Sequence, residues 1–336
     1  TLHIPGKFIL DSTSRISLSN NDSGAGNTVF GRNAGVNIDA GSNYNVFIGE
    51  DVGDGSLNDA QYNTGVGWNA MSTITTGDYN TAVGAVALKN TNTGEQNVAM
   101  GYKALFTNST GDNNVAIGNV ALHTNASGDN NTAVGTISGY SVTTASGSAF
   151  LGYQAGRSVS TGNDNIAIGN SAMYGGTVTG DNNIAIGASA GDALTSGINN
   201  ILMGTDAGGA ITTGGSNVII GTEAGDGFTA NTTMTLIGYQ AGTTINSNNA
   251  NGTVAVGYLS LGALTGGAEN TALGSRSGDA ATNASGSVFL GFDAGGTVTT
   301  GNRNIAIGLD AMNGGATTGD NNIAIGAKSG DALTSG

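Results

Sequence analysis

The chain has no cysteine, a single proline and only nine lysines and arginines in 336 residues. Without cysteine there is neither a disulfide framework nor a thiolate metal site. With a net charge of −14 and no basic stripe, the phosphates of nucleic acid and anionic membrane surfaces are repelled rather than bound. No run of about 18 apolar residues occurs, so neither a spanning helix nor membrane insertion is expected. The two histidines, His3 and His123, stand far apart with no serine or cysteine motif around them, which argues against a hydrolytic dyad. Helical periodicity is missing throughout, so the glycines do not form a phosphate-binding loop, which needs a strand running into a helix. No cofactor is expected, and the chain reads as a non-enzyme.

What is abundant is glycine, 60 residues, and it is periodic. Gly31, Gly49, Gly67, Gly84, Gly101, Gly118, Gly135, Gly152, Gly169, Gly187, Gly204, Gly221, Gly238, Gly257, Gly274, Gly291, Gly308 and Gly326 follow one another at steps of seventeen or eighteen, with a single step of nineteen from Gly238 to Gly257. The apolar fraction, 38%, is placed in register with these glycines, which argues against disorder. A short constant period of this kind marks a solenoid whose units cannot bury their apolar faces alone and must stack. The expected fold is all-β, a parallel β-solenoid of 18 coils of 17–19 residues. At a strand spacing of about 4.8 Å it would extend roughly 85 Å.

Each coil has a division of labour. One residue before the frame glycine the chain is apolar in all eighteen repeats, from Phe30 and Ile48 to Ile325, and this row is expected to form the core. Four residues before it stands Asn in fourteen repeats, including Asn80, Asn97, Asn114, Asn131, Asn165 and Asn183. In a stack these amides would form a ladder, with Met234 a local fault. Three residues after the glycine Ala or Ser dominates, followed by Gly, Leu or Met, a corner where small residues allow close approach or φ > 0. The strand between, as in NNIAIG (182–187), puts Ile184 and Ile186 on one face and Ala185 on the other. Because that second face is apolar as well, Ala116, Ala133, Phe150, Ala167 and Ala185 are expected at a subunit interface.

Residues 1–22 lack the repeat; their apolar–polar alternation suits capping or connector strands, leaving 23–336 as the shaft. Residues 131–197 align without a gap on 270–336, a duplication offset by eight coils. The parent protein is expected to continue beyond Gly336.

The segments NNVAIG (113–118), NNIAIG (182–187) and NTAVG (80–84) resemble the signature of the YadA-like heads of trimeric autotransporter adhesins, over about 310 of the residues. The resemblance implies a left-handed β-roll wound as a homotrimer, with the signature strand toward the threefold axis, that binds host surfaces. Coils in that family are shorter, and the surplus here is expected in the rim loop after the corner. The opening KFILDSTSRISLSNNDSGAGNTVFG also resembles phage tail-fibre segments that carry such repeats.

Chemistry on the rim is confined to turns. Asp78, Glu95, Asp112 and Asp129 recur once per coil, and a column of carboxylates with neighbouring Asn and backbone carbonyls could hold a hard cation such as Ca²⁺. Solvated turn residues are the favoured reading, since the calcium-binding GGxGxD pattern is missing. Trp68, Tyr102, Tyr153, Tyr239 and Phe292 follow the frame glycine directly and could stack on sugars, though a partly buried rim position is favoured. The functional expectation is a structural and adhesive fibre segment: extracellular, a virion tail-fibre shaft or a cell-surface protein, partnered by copies of itself and by a host receptor, glycan or protein. A bacterial trimeric adhesin or filament subunit is the alternative, with a polysaccharide-degrading tailspike or an ice-binding solenoid as minor ones.

Overall fold

A computed structural model of the chain describes residues 24–247 and 249–335. The N-terminal capping or connector segment, 1–22, lies outside the described residues, as does His3. From β1 (Thr28–Phe30) to β18 (Ile323–Ile325), eighteen three-residue strands line up in one parallel sheet, each paired in register with the next. Ala116 of β6 (Val115–Ile117) stands opposite Ala133 of β7 (Thr132–Val134), and Ala306 of β17 (Ile305–Ile307) opposite Ala324. The chain is therefore an all-β parallel β-solenoid, with no helix among the described residues. Coil n is taken to begin at the Asn-ladder position just before βn, so that coil 1 starts at Asn27 and coil 18 at Asn322.

Three residues make a short strand, so most of each coil is corner, and the corners have an unusual backbone. Within coil 6, Val120 (φ 51°) and Leu122 (φ 47°) lie in the left-handed region, as do Lys103 and Leu105 one coil earlier. Left-handed backbone costs L-residues about 1–2 kcal/mol each. Stacking offsets that cost: the corner amides donate to the neighbouring coil, Leu88 N–H to the Ala104 carbonyl at 3.0 Å and Leu105 N–H to the Ala121 carbonyl at 2.9 Å. Each coil thus finds its backbone partners mainly in its neighbours rather than in itself. The frame glycine is required twice over. Gly84 has φ 136°, and a Cβ there would lie 2.6 Å from the Gly101 carbonyl oxygen of the next coil.

The interior reverses the sequence expectation. The middle strand residue is the buried one: Ala116, Ala133, Ala167 and Ala185 are fully enclosed, and Phe150 nearly so, within a single chain. These residues are the core of one coil stack and not a subunit face. The row before the frame glycine, expected as core, points out: Ile117 is 38% and Leu151 51% exposed. The reason is geometric. After the strand the coil turns back behind it, on the side of the middle residue, so that side faces a narrow interior and only the other side is free. Narrowness favours alanine, and the larger side chains of the apolar row are left outside.

Core volume is held constant by exchange between two positions. Where the middle strand residue is large, as in Phe47, Phe150, Leu202, Ile219, Leu236 and Phe289, the residue four after the frame glycine is Gly: Gly53, Gly156, Gly208, Gly225, Gly242 and Gly295. Where the middle residue is Ala, that corner often carries a buried Leu or Met, as in Leu88, Leu105, Leu122 and Met173. Leu88 adopts φ 50° there, so backbone freedom alone does not demand glycine. Volume does: a Cβ on Gly53 would lie 2.7 Å from the Phe47 ring. A second buried row, seven residues after the frame glycine, contains Ile74, Val142, Leu194, Ile211, Phe228 and Ile245. The loop after the corner therefore contributes to the core as well as to the rim.

The eight-coil duplication survives in the fold. The two isolated bridges among the described residues, Val159–Val178 and Val298–Thr317, are related by the same offset as residues 131 and 270: 298 − 159, 317 − 178 and 270 − 131 are all 139.

Candidate functional site

Three features run along the rod: an amide ladder inside it, an apolar sheet face outside it, and corner columns of aromatic or charged residues. The ladder is realised. In Asn97, Oδ1 accepts from the Asn114 backbone N–H at 2.9 Å and from its Nδ2 at 3.2 Å, while Nδ2 donates to Asn80 Oδ1 at 3.1 Å and to the Gly111 carbonyl at 2.8 Å. The Nδ2 groups of Asn80, Asn114 and Asn183 donate in the same way, and each residue is fully buried. Asn131 keeps its bond to the Ala145 carbonyl, and Asn165 bonds to the Gly180 carbonyl, but the side-chain chain thins where Ser148 intervenes.

The Asp column has a structural occupation. Asp78 Oδ1 accepts from the Gln61 N–H at 2.6 Å, Asp112 Oδ1 from the Glu95 N–H at 2.8 Å, and Asp129 Oδ1 from the Asp112 N–H at 2.8 Å. Each of these carboxylates thus caps an amide of the preceding coil, with Glu95 contributing its backbone and not its side chain. Among the described residues no group of three or more His, Cys, Asp or Glu is placed to share an ion.

The outer sheet face is uncharged along its length and largely apolar, with Thr28, Thr64, Thr81, Thr132, Thr235 and Thr271 as the polar positions. Its two rows read Val115 and Ile117, Ile166 and Ile168, Ile184 and Ile186, Ile201 and Met203, Val218 and Ile220 in five of the strands, and no strand places a charged residue in either row. All ten are half-buried to exposed in the single chain, beside middle residues that are fully buried. Directly after the frame glycine, Trp68, Tyr102, Tyr153, Tyr239 and Phe292 are each about half exposed, at a partly buried position of the rim.

Sequence reasoning passed over the column five residues after the frame glycine. In coils 4 to 9 it reads Lys89, Phe106, His123, Tyr140, Arg157 and Tyr174. Phe106 stacks on His123 at 5.1 Å between ring centroids and His123 on Tyr140 at 5.0 Å; the Arg157 guanidinium lies 5.1 Å from the Tyr174 ring centroid. Burial, and then the nearby Lys103 ammonium, lower the His123 pKa. Further along, the same column turns acidic with Asp192 and Asp226, whose carboxylates lean toward the gap left by Gly209. Burial first, and then the Asp206 charge, raise the pKa of both carboxyls from the ordinary value, with Asp192 and Glu223 adding to the effect on Asp226. The signal was present in the sequence as a run of rings and cations at one per coil, but it marks one tract of the chain and not every repeat.

These features define a stacked parallel β-solenoid. No protein-family model matches the chain, and no curated protein matches it. No helix among the described residues is long and apolar enough to cross a membrane.

Proposed function

We propose that the chain is the shaft of an extracellular attachment fibre of the kind carried by phage tails, built from three copies that pack their outer sheet faces around a common axis. The observation that carries this reading is the uncharged double row, rich in Val, Ile, Leu and Met, that one chain leaves facing solvent, far longer than the patches monomers usually expose. The resemblance of the NNVAIG and NNIAIG strands to trimeric adhesin heads supports the same arrangement, with the interface on the Ile184 and Ile186 side of the strand and not on Ala185. The function of such an object is reach, rigidity and presentation of its corners to a host surface.

Native mass spectrometry tests it: a homotrimer is expected, and Ile186→Lys together with Ile168→Lys, both on the outer face, should release folded monomer with unchanged far-ultraviolet circular dichroism. A wild-type chain that is monomeric at micromolar concentration would overturn the proposal.

A further inference from the structure

Between two corner columns of coils 6 to 8 lies a cavity of about 240 Å³ lined by Val120, Ile137, Tyr140, Gln154 and Arg157. Val120, Ile137 and Gln154 come from the position two after the frame glycine; Tyr140 and Arg157 come from the position five after it. Three features meet at this place. Arg157 makes no ion pair among the described residues, although the chain carries net charge −14, and its guanidinium rests instead against the Tyr174 ring. Val120 and Ile137, with φ of 51° and 63°, present two successive aliphatic side chains in a column that elsewhere, Val86 and Leu259 aside, uses polar or charged residues. Finally, Tyr140 closes the Phe106–His123–Tyr140 stack, which fixes that wall of the cavity.

One column of the lining carries Val120, Ile137 and the Gln154 amide, and the other carries the Tyr140 phenol and the Arg157 guanidinium. A sugar ring offers a C–H face and hydroxyls to such a surface, and a carboxylate on that ring matches the planar donors of arginine. The volume suits one monosaccharide unit. The acidic character of the rest of the chain disfavours a polyanion and favours a lone acid in an otherwise neutral glycan. We propose that this cavity binds a single carboxylate-bearing sugar residue, with the acid on Arg157 and the ring against Val120 and Ile137. The site names a receptor chemistry for the attachment reading but does not depend on the trimer. A trimer that binds no acidic sugar sinks the site alone, and a monomer that binds one sinks the fibre alone.

Saturation-transfer difference NMR on the full chain, with sodium glucuronate, glucose and acetate as separate probes, tests it. Glucuronate is expected to bind with a Kd on the order of 1 mM, as the size of the ligand implies, with the other two at least about tenfold weaker. Arg157→Ala, at a partly exposed side chain, should weaken glucuronate at least about tenfold. Ile137→Asn suits the backbone there, so the fold is kept while the aliphatic wall is lost, and binding should weaken again. No glucuronate signal up to about 10 mM, equal signals from glucose or acetate, or wild-type affinity in Arg157→Ala would each overturn the proposal.

Discussion

Coils 4 to 6 and coils 13 to 14 follow the same repeat and differ in how their interiors are satisfied. In the first, Asn80, Asn97 and Asn114 link each coil to both neighbours through side chain and backbone. In the second, Met234 takes the ladder position: its N–H still donates to Asn217 Oδ1 at 2.9 Å, but it offers no acceptor onward. Thr253, next in the column, is fully buried with an unpartnered Oγ1, and Asn231 Oδ1 and Ser247 Oγ nearby are also without partners. The coil that starts at Met234 is also the longest, since the next ladder position is not reached until Thr253. A solenoid in which each coil touches only its neighbours cannot spread such a fault; the loss stays local, and the rod has a weak point there.

The largest way to sharpen that contrast is to cut the intact ladder. Asn97→Ala removes an acceptor from the Asn114 N–H and a donor from the Gly111 carbonyl, both in the interior, and should cost about 2–4 kcal/mol, read as faster amide exchange across coils 4 to 6. Thr253→Ala should cost less than Asn97→Ala, because removing its buried, unpartnered hydroxyl offsets the loss of the methyl group's packing, about 1 kcal/mol. Equal effects at the two sites would show that the ladder does not divide the rod as described.

Repair of the fault is a smaller effect of opposite sign. Met234→Asn gives up the packing of a buried thioether but supplies the missing acceptor, so the Thr253 amide should become protected in hydrogen exchange. Protection unchanged at Thr253 would mean that coils 13 and 14 are too far out of register to be joined.

How much of this could be read in advance depends on what repeats and which way it faces. The period, the parallel stack, the Asn ladder and the fault at Met234 follow from spacing, because an in-register stack must place like residues on like. The inside and outside of the strand did not follow. Ala185 and Ile186 are both apolar, and alternation alone names two faces without saying which one the coil folds over; bulk pointed to Ile186 and the narrow interior takes Ala185. The Arg157 cavity was hidden for a different reason, since its walls come from three coils and two corner positions.

The smallest difference concerns pH. The His123 pKa is lowered in the fold, so the unfolded chain binds more protons just below the ordinary value of 6.5, and coils 5 to 7 should lose stability as pH falls through that window. Asp226, in the coil before the fault, has a raised pKa, so the folded chain binds more protons just above 3.8, and its coil should gain stability as pH falls toward that value. Amide exchange between pH 7 and about 4.5 should therefore shift in opposite directions in the two regions once intrinsic rates are corrected. A shift of the same sign in both would contradict the charge environments described for His123 and Asp226.

The sequence by itself determined that this chain is a stack: a frame glycine at a short, nearly constant period, a mostly apolar triplet before it and, in most coils, an amide at its head leave parallel, in-register coils as the way to pair the backbone. Only the tertiary structure decided which apolar row is core, how Phe47 and Gly53 or Ala82 and Leu88 share one volume, and where Val120, Ile137 and Arg157 meet. The physical reason is that spacing fixes which residues are neighbours along the rod, whereas burial depends on how each coil closes around its own strand, through corners whose φ the residue types alone do not announce.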